Sequence, residues 1–542
     1  MHATLAPTPP AHGLAGNVVD YLFERRMAPE EARRPYLVGA HATHSFGDLY
    51  ERVCQVGHLL RSLGVKPGDR VLFSVVDGID FPALFLGAMK IGAVSLPLNT
   101  FLQSTDYAYY IRDSGAKLLV VDAALVPKIE EIRDAHDFPS LLFVANGRAQ
   151  GWRELDAELA GQPRVLDTLA RRPDEQAFWL YSSGSTGDPK GVVHTHEHIY
   201  WACELFGLGE SGMGMRRDDE ILCPPKMFFA YGLGNQVYFP LRAGARVFME
   251  PAPIKPQALL ERMIATRPTM MMAVPTLFAG LLDLMRSLDR DLVHAACSRL
   301  RICVSGGELL PPAIYRQWLE TTGTEILDGV GTTEMTHMFL FNRPGAAKPG
   351  SCGQLIPGYE ARFLDDEGRD VPEGEIGNLF VRGPTAARTY WNKAQKTAST
   401  MWDGGVLTGD KSYRDTEGYY FHVGRVDDML RVGGIWVSPT EIEATLTEHP
   451  GVLECAVIGV ADEQEMIKPN AFVVVRHGYV PDQELRDALG ALVRGKLAHI
   501  KCPRRIEFVS ELPKTATGKI QRFRLRARER SAGEGLERKP RG

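Results

Sequence analysis

The chain lacks a surplus of either charge: 62 lysines and arginines stand against 67 aspartates and glutamates, a formal net charge of -5 over 542 residues. Without a basic excess to neutralise a phosphate backbone, nucleic acid drops out as an expected partner. No apolar run approaches the ~18 residues of a membrane span, and the opening MHATLAPTPPAHG lacks the basic start and apolar stretch of an export signal. No membrane partner is expected, and the cytoplasm is the expected location. The eight cysteines, Cys54, Cys203, Cys223, Cys297, Cys303, Cys352, Cys455 and Cys502, include no CxxC pair, so they read as reduced core residues. Short-period repeats, coiled-coil heptads and long disordered segments are also missing, which leaves nothing to motivate a scaffold role.

What is present is an ordinary globular balance, 44% hydrophobic and 24% charged, in a chain longer than one core organises. Apolar, β-branched runs at Val71 to Val76 and Lys117 to Val121 alternate with a helix-like Phe81 to Ile91. The pattern recurs at Ala245 to Met249 followed by Pro256 to Thr266, then at Thr269 to Val274 and Leu300 to Val304. Such alternation predicts an α/β fold whose large, layered N-terminal domain contains β-α sheets. Near Gly424 the texture changes to charge and glycine (GRVDDMLRVGG), and Ser438-Pro439 reads as a helix start. A helix over about Thr440 to Glu448, strands at Ala456 to Val460 and Ala471 to Val475, and a helix from Asp482 predict a small α+β C-terminal domain. Arg526 to Gly542 reads as a frayed tail.

The richest segment chemically is Tyr181-Ser-Ser-Gly-Ser-Thr-Gly-Asp-Pro-Lys-Gly191. Small residues such as Gly184 and Gly187 let backbone amides approach an anion, the hydroxyls of Ser182, Ser183, Ser185 and Thr186 add donors, and Lys190 supplies charge. A nucleotide-triphosphatase P-loop would need Gly-Lys-Ser/Thr; here Pro189 precedes the lysine and Gly191 follows it. These eleven residues instead resemble the phosphate-loop signature of the adenylate-forming superfamily, which includes acyl-CoA synthetases, luciferases and adenylation domains. Further segments follow in that superfamily's order from about Val71 to Arg522.

The resemblance implies a residue-by-residue assignment. Thr333 and Glu334, in Gly329-Val-Gly-Thr-Thr-Glu334, match a threonine that contacts the α-phosphate and a glutamate that holds Mg²⁺, a hard cation suited to oxygen ligands. Gly306, Gly307, Glu308 and Asp328 match the adenine seat, with Val330 where a stacking tyrosine is common. Asp410 and Arg425 match the ribose clamp. Lys519, in Pro513-Lys-Thr-Ala-Thr-Gly-Lys519, matches the lysine that neutralises charge during adenylation. Asp427 matches the hinge, which divides the chain into residues 1–426, holding the ATP and acid sites, and 427–542, a mobile lid; Gly433 and Gly434 match the loop presented to coenzyme A.

FFAYGLGN from Phe228, GVGTTEMTHMF from Gly329 and the ending PKTATGKIQRF resemble benzoate-CoA ligases more than fatty-acid ligases. By motif, Ala230, Tyr231, Gly331, His337 and Met338 line the acid pocket; Met338 stands where compared benzoate ligases have Ile. The expected function is AMP-forming ligation of benzoate or a related small aryl acid to coenzyme A, with ATP, Mg²⁺ and coenzyme A as substrates and ion, no prosthetic group, and a monomer or homodimer. The alternatives are another small cyclic or short aliphatic acid, or a carrier-protein thiol as acceptor. An amino acid is disfavoured because no acidic residue opens the FFAYG segment. His194, His196 and His198 (HTHEH) are spaced like metal ligands, but no Cys or carboxylate set supports a zinc site.

Overall fold

The computed structural model describes residues 13–135, 138–182, 188–252, 254–426, 428–432, 435–461, 466–514 and 520–537. Among these, one seven-stranded sheet runs in the order Arg153–Glu154, Leu141–Ala145, Leu118–Asp122, Arg70–Ser74, Val94–Pro97, Gln176–Ser182, Lys190–Thr195. Its strands are parallel except the last pair. Leu118–Asp122 is buried along its whole length, as expected where both faces of a parallel sheet are covered. The helix Asp80–Lys90 is buried on every side.

A second, nine-stranded sheet has the order Gln354–Leu355, Met338–Phe341, Ile326–Gly331, Ile302–Ser305, Met270–Ala273, Glu220–Leu222, Arg246–Phe248, Pro35–Val38, Thr43–Ser45. One hydrophobic cluster takes Phe73 and Phe178 from the first sheet and Val247, Met272 and Val304 from the second, so the two share a core. A five-stranded antiparallel sheet over Glu360–Leu364, Gly377–Arg382, Met401–Trp402, Gly405–Arg414 and Tyr420–Arg425 completes this body.

The C-terminal segment has cores of its own. Along strands Val452–Ala461 and Ile467–Val475, Cys455, Val457, Ala471 and Val473 face the helices Pro439–Leu446 and Gln483–Lys496. The intervening Ala456, Ile458, Phe472 and Val474 face Leu512 and Leu525. This two-residue alternation is what a sheet covered on both sides requires.

Two expectations need correction. Much of the segment read as a frayed tail is helical, within Arg522–Glu537. Leu525 is buried, Arg522 makes three hydrogen bonds to the Glu443 carboxylate at 2.7, 2.9 and 3.2 Å, and Arg526 donates to Asp428 at 2.8 Å. The sequence hides this helix because its anchors are charges whose partners lie about 80 to 100 residues away in the chain. Cys502, assigned to the core, is partly exposed after the short turn His499–Lys501, whereas the other seven cysteines are buried.

Candidate active site

Strands Gln176–Ser182 and Lys190–Thr195 pair antiparallel, with Ser182 opposite Lys190. The five residues they flank, Ser183, Gly184, Ser185, Thr186 and Gly187, lie outside the described residues. At the mouth of this hairpin stands Glu334. Its Oε1 accepts from Ser182 Oγ at 3.1 Å and from the Tyr390 hydroxyl at 2.9 Å. Burial and the neighbouring Glu334 push the Tyr390 phenol up, so it stays a donor. The Lys190 ammonium lies 4.8 Å from the centre of the Tyr390 ring.

Tyr390 and Trp391 were missed in the sequence. Val192 and Tyr390 form a β-bridge, Trp391 N donates to Gly191 O at 2.8 Å, and the Trp391 ring packs on Trp179 at 4.4 Å. The segment thus braces the outer edge of the hairpin formed by Gln176–Ser182 and Lys190–Thr195. Its only advance signal is a pair of adjacent aromatics in Arg388-Thr-Tyr-Trp-Asn392.

Glu334 lies in a tight 3-10 turn, Thr333–Met335, which follows the strand Ile326–Gly331. Thr332 caps the turn, its hydroxyl accepting from Met335 N at 3.2 Å, and Ala387 N donates to Glu334 O at 2.8 Å. Both faces of the turn are therefore pinned. Ser182, Glu334 and Lys190 thus meet around Tyr390, with Thr333 beside Glu334 in the turn. Among the described residues Glu334 Oε1 accepts from two hydroxyls, Ser182 and Tyr390, and such a cluster of hard oxygens fits Mg²⁺.

On the neighbouring strand, Ile302–Ser305 leads into Gly306, Gly307 and Glu308, and Ser305 is registered against Asp328. Gly307 has φ +92°, a conformation open to glycine at little cost. Asp328 is buried; its Oδ2 accepts from Leu310 N at 3.3 Å, and its Oδ1 has no hydrogen-bond partner among the described residues. Burial pushes this carboxyl up to about 7. Asp410 and Arg425 pair across two strands, with Nη1 and Oδ1 3.2 Å apart.

Glu308 Oε1 accepts from the backbone N of Ile520 at 2.9 Å. Lys514 and Ile520 form a β-bridge that closes the loop between them. Lys519, within that loop, lies outside the described residues, as do Asp427, Gly433 and Gly434. Its chain neighbour Ile520 nonetheless ties this end of the C-terminal segment to the Gly306–Glu308 turn.

Tyr231 and Met338, two of the residues expected to line an acid pocket, meet at Gly306. A Cβ there would fall 2.4 Å from Met338 Cε and 3.3 Å from Tyr231 Cε2, so both side chains close on a position that only glycine leaves open. Tyr231, in the helix Ala230–Leu233, donates its hydroxyl to Val304 O at 3.0 Å, which fixes the ring. Gly331 pairs with Met338 across the antiparallel strands.

His337 is enclosed by aromatic rings: Phe206 stacks at 4.9 Å, Phe239 meets it edge-on at 4.8 Å, and Tyr231 lies at 5.8 Å. Its Nε2 is 3.4 Å from Tyr231 O, and its Nδ1 has no hydrogen-bond partner among the described residues. Burial lowers its pKa to about 3, so the imidazole is neutral. Phe206 and Phe239 also escaped the sequence reading. They lie in or just after wide π-helical turns, Cys203–Gly207 and Gly234–Tyr238, whose register no helical periodicity announces.

With this geometry in place, comparison with known proteins identifies the class. The profile of the AMP-binding enzyme matches residues 23–391, and that of the AMP-binding enzyme C-terminal domain matches residues 441–519. The chain belongs to the AMP-binding enzyme family. It is 42% identical over 524 residues to the benzoate--CoA ligase of Thauera aromatica, covering 96% of this chain and 98% of that one. Among solved structures, it superposes on the anthranilate CoA ligase AuaEII in complex with anthranoyl-AMP with a TM-score of 0.90 at 38% identity, covering 96% and 98% of the two chains. On a benzoate CoA ligase from Burkholderia xenovorans LB400 the TM-score is 0.86 at 38% identity, covering 94% and 99%. No helix of the described residues is long and apolar enough to cross a membrane.

Proposed function

We propose that this chain is an AMP-forming aryl-acid–CoA ligase acting on benzoate or a close relative. The observation that carries the reading is the short segment Thr333 to Met338: Glu334 sits at the phosphate hairpin, and three to four residues later His337 and Met338 enter the aromatic pocket around Gly306. ATP and coenzyme A are substrates of the family's CoA ligases. A carboxylic acid lying against Tyr231 and Met338 directs its carboxylate toward the α-phosphate. One carboxylate oxygen attacks phosphorus, the bond to the β-phosphate bridging oxygen breaks, and pyrophosphate leaves. The thiolate of coenzyme A then attacks the acyl carbon and AMP departs with the bonding pair.

Charge is the main obstacle in the first step, because an anion attacks a polyanion. Lys190, the loop 182–187 and Lys519 neutralise it, with Thr333 placed at the α-phosphate. Mg²⁺, which Glu334 would hold, supplies further neutralisation of the phosphate oxygens when bound. Asp328, Glu308 and the glycines Gly306 and Gly307 seat adenine, and Asp410 with Arg425 holds the ribose. Asp427 serves as the hinge between residues 1–426 and 427–542, and Gly433 and Gly434 form the coenzyme A side. The enzyme works in the cytoplasm as a monomer or homodimer.

Met is longer and more adaptable than Ile, so Met338 reshapes the pocket for a substituted or non-benzenoid ring. AMP release is measured with ATP, Mg²⁺ and a panel of benzoates and short fatty acids, with and without coenzyme A. Aromatic-dependent release that coenzyme A drives to turnover is the expected result. Release with aliphatic acids alone overturns the pocket assignment, and indifference to coenzyme A overturns the acceptor.

A further inference from the structure

Thr336 stands between the two halves of the site with a backbone that threonine rarely adopts. Its φ is +66° and its ψ -46°, and His337 N donates to Met335 O across it at 2.7 Å. This is a γ-turn with positive φ at its centre, a rare and strained geometry, here occupied by a β-branched residue, for which such φ is a genuine outlier. The reversal has a geometric consequence. It lets Glu334 point at the phosphate hairpin while His337, three residues on, enters the ring of Phe206, Phe239 and Tyr231.

The side chain explains how the turn is held. Thr336 Oγ1 donates to Thr385 O at 3.0 Å and lies 3.2 Å from His194 Nδ1. His198 Nδ1 accepts from Thr195 N at 3.3 Å and is 3.1 Å from His194 Nδ1. Since His198 Nδ1 is an acceptor, the proton between the two rings belongs to His194 Nδ1, and Thr336 Oγ1 accepts from that same group. Thr336, His194, His198 and Thr385 are all buried, and Phe178 stacks on His194 at 4.7 Å. Thr385 is braced in turn, its hydroxyl 2.9 Å from the Tyr359 hydroxyl. The histidine-rich HTHEH segment therefore supplies a turn-holding donor.

We propose that Thr336 is a positioning residue: its hydroxyl, clamped between His194 and Thr385, holds the strained turn that fixes the spacing between Glu334 and the acid-pocket wall at His337 and Met338. The proposal rests on the adenylation reading for its kinetic consequence, and on geometry alone for the state of His194. Loss of the hydroxyl lets the turn relax to negative φ, which shifts Glu334 relative to His337. Misplacement on the ångström scale costs on the order of 10²-fold in rate.

The test compares Thr336→Ser, Thr336→Val and Thr336→Gly in acid-dependent pyrophosphate exchange, with Leu259→Ala, a buried substitution in a separate cluster, as a stability control. Thr336→Ser should keep kcat within ~3-fold, while Thr336→Val should lose on the order of 10²-fold with a raised Mg²⁺ requirement and an unchanged KM for ATP. Thr336→Gly, which reaches positive φ at little cost without the hydroxyl, should recover much of the activity that Thr336→Val loses. A Thr336→Val enzyme with wild-type kcat, or losses that track thermal stability equally in Leu259→Ala, would overturn the proposal. In protein labelled with ¹⁵N-histidine, the Nδ1–H signal of His194 should persist in Thr336→Ser and shift in Thr336→Val; no shift overturns the clamp. Inactivity of the unmutated protein with every aryl acid would instead count against the adenylation reading, leaving the spectroscopic arm to decide the clamp.

Discussion

Burial of the Asp328 carboxyl raises its pKa from 3.8 to about 7, and that shift has a sign that can be checked. Because the folded pKa lies above the unfolded one, the stability this group contributes is fully present below its unfolded pKa and is lost as pH rises through about 7. A ligand whose amino group donates to Asp328 favours the ionised form, so adenosine should bind about tenfold more tightly at pH 8 than at pH 6, the ratio of ionised fractions for a pKa of about 7. Equilibrium binding at the two pH values checks this; Asp328→Asn should flatten the dependence, and a flat wild-type profile would remove Asp328 from the adenine seat. Lys519→Ala should lower adenylation about 10²- to 10³-fold, the scale of one preorganised charge stabiliser, while thioester formation from supplied acyl-adenylate survives. Equal loss in both half-reactions would contradict separate roles for the lysine and the coenzyme A side. Shortening Met338 to Ala should shift the kcat/KM ratio of 4-chlorobenzoate to benzoate by ~10-fold in favour of the larger acid, the size of effect a methylene or two has in an apolar pocket. An unchanged ratio would place Met338 outside the specificity contact.

Elements with strong local signals were legible in the sequence. Pro256–Thr266 has the predicted bounds, since proline at the first position and an apolar stripe agree with each other. The helix from Asp482 also starts as predicted, with Asp482 accepting from Leu485 N at 2.9 Å. Elements built on long-range partners were not legible, and the helix Arg522–Glu537 is the clearest case. Its anchoring to the sheet face through Leu525 predicts that Leu525→Ala destabilises the C-terminal segment by about 2–5 kcal/mol, the cost of emptying a buried leucine site. Denaturant unfolding followed with limited proteolysis of this segment checks it, and an unshifted transition would show that the helix contributes nothing to that core.

Across the whole molecule, the C-terminal segment meets the body through more than the Glu308 contact. Arg476, at the end of the strand Ile467–Val475, forms an ion pair with Asp283 of the helix Pro275–Met285, and Arg476 Nε also donates to Pro450 O at 3.1 Å. If the pair favours the arrangement in which Ile520 reaches Glu308, Asp283→Asn should slow adenylation on the order of fivefold relative to the thioester step, in line with ~1 kcal/mol for a partly exposed pair. Separate assays of the two half-reactions at low and high salt check this; equal effects on both steps would show that the pair does not favour this arrangement.

The sequence by itself determined the alternation of strands and helices and the family, because each is written in contiguous residues whose spacing carries the signal. It also named Glu334, Tyr231, His337 and Met338 as members of one site. Only the tertiary structure decided that Tyr390 and Trp391 brace the hairpin that ends in Ser182 and Lys190, that Phe206 and Phe239 enclose His337, and that Thr336 turns the chain between Glu334 and His337. These contacts join residues distant in the chain through hydrogen bonds and ring packing, and no local pattern of residue types specifies which of many polar or aromatic side chains will meet.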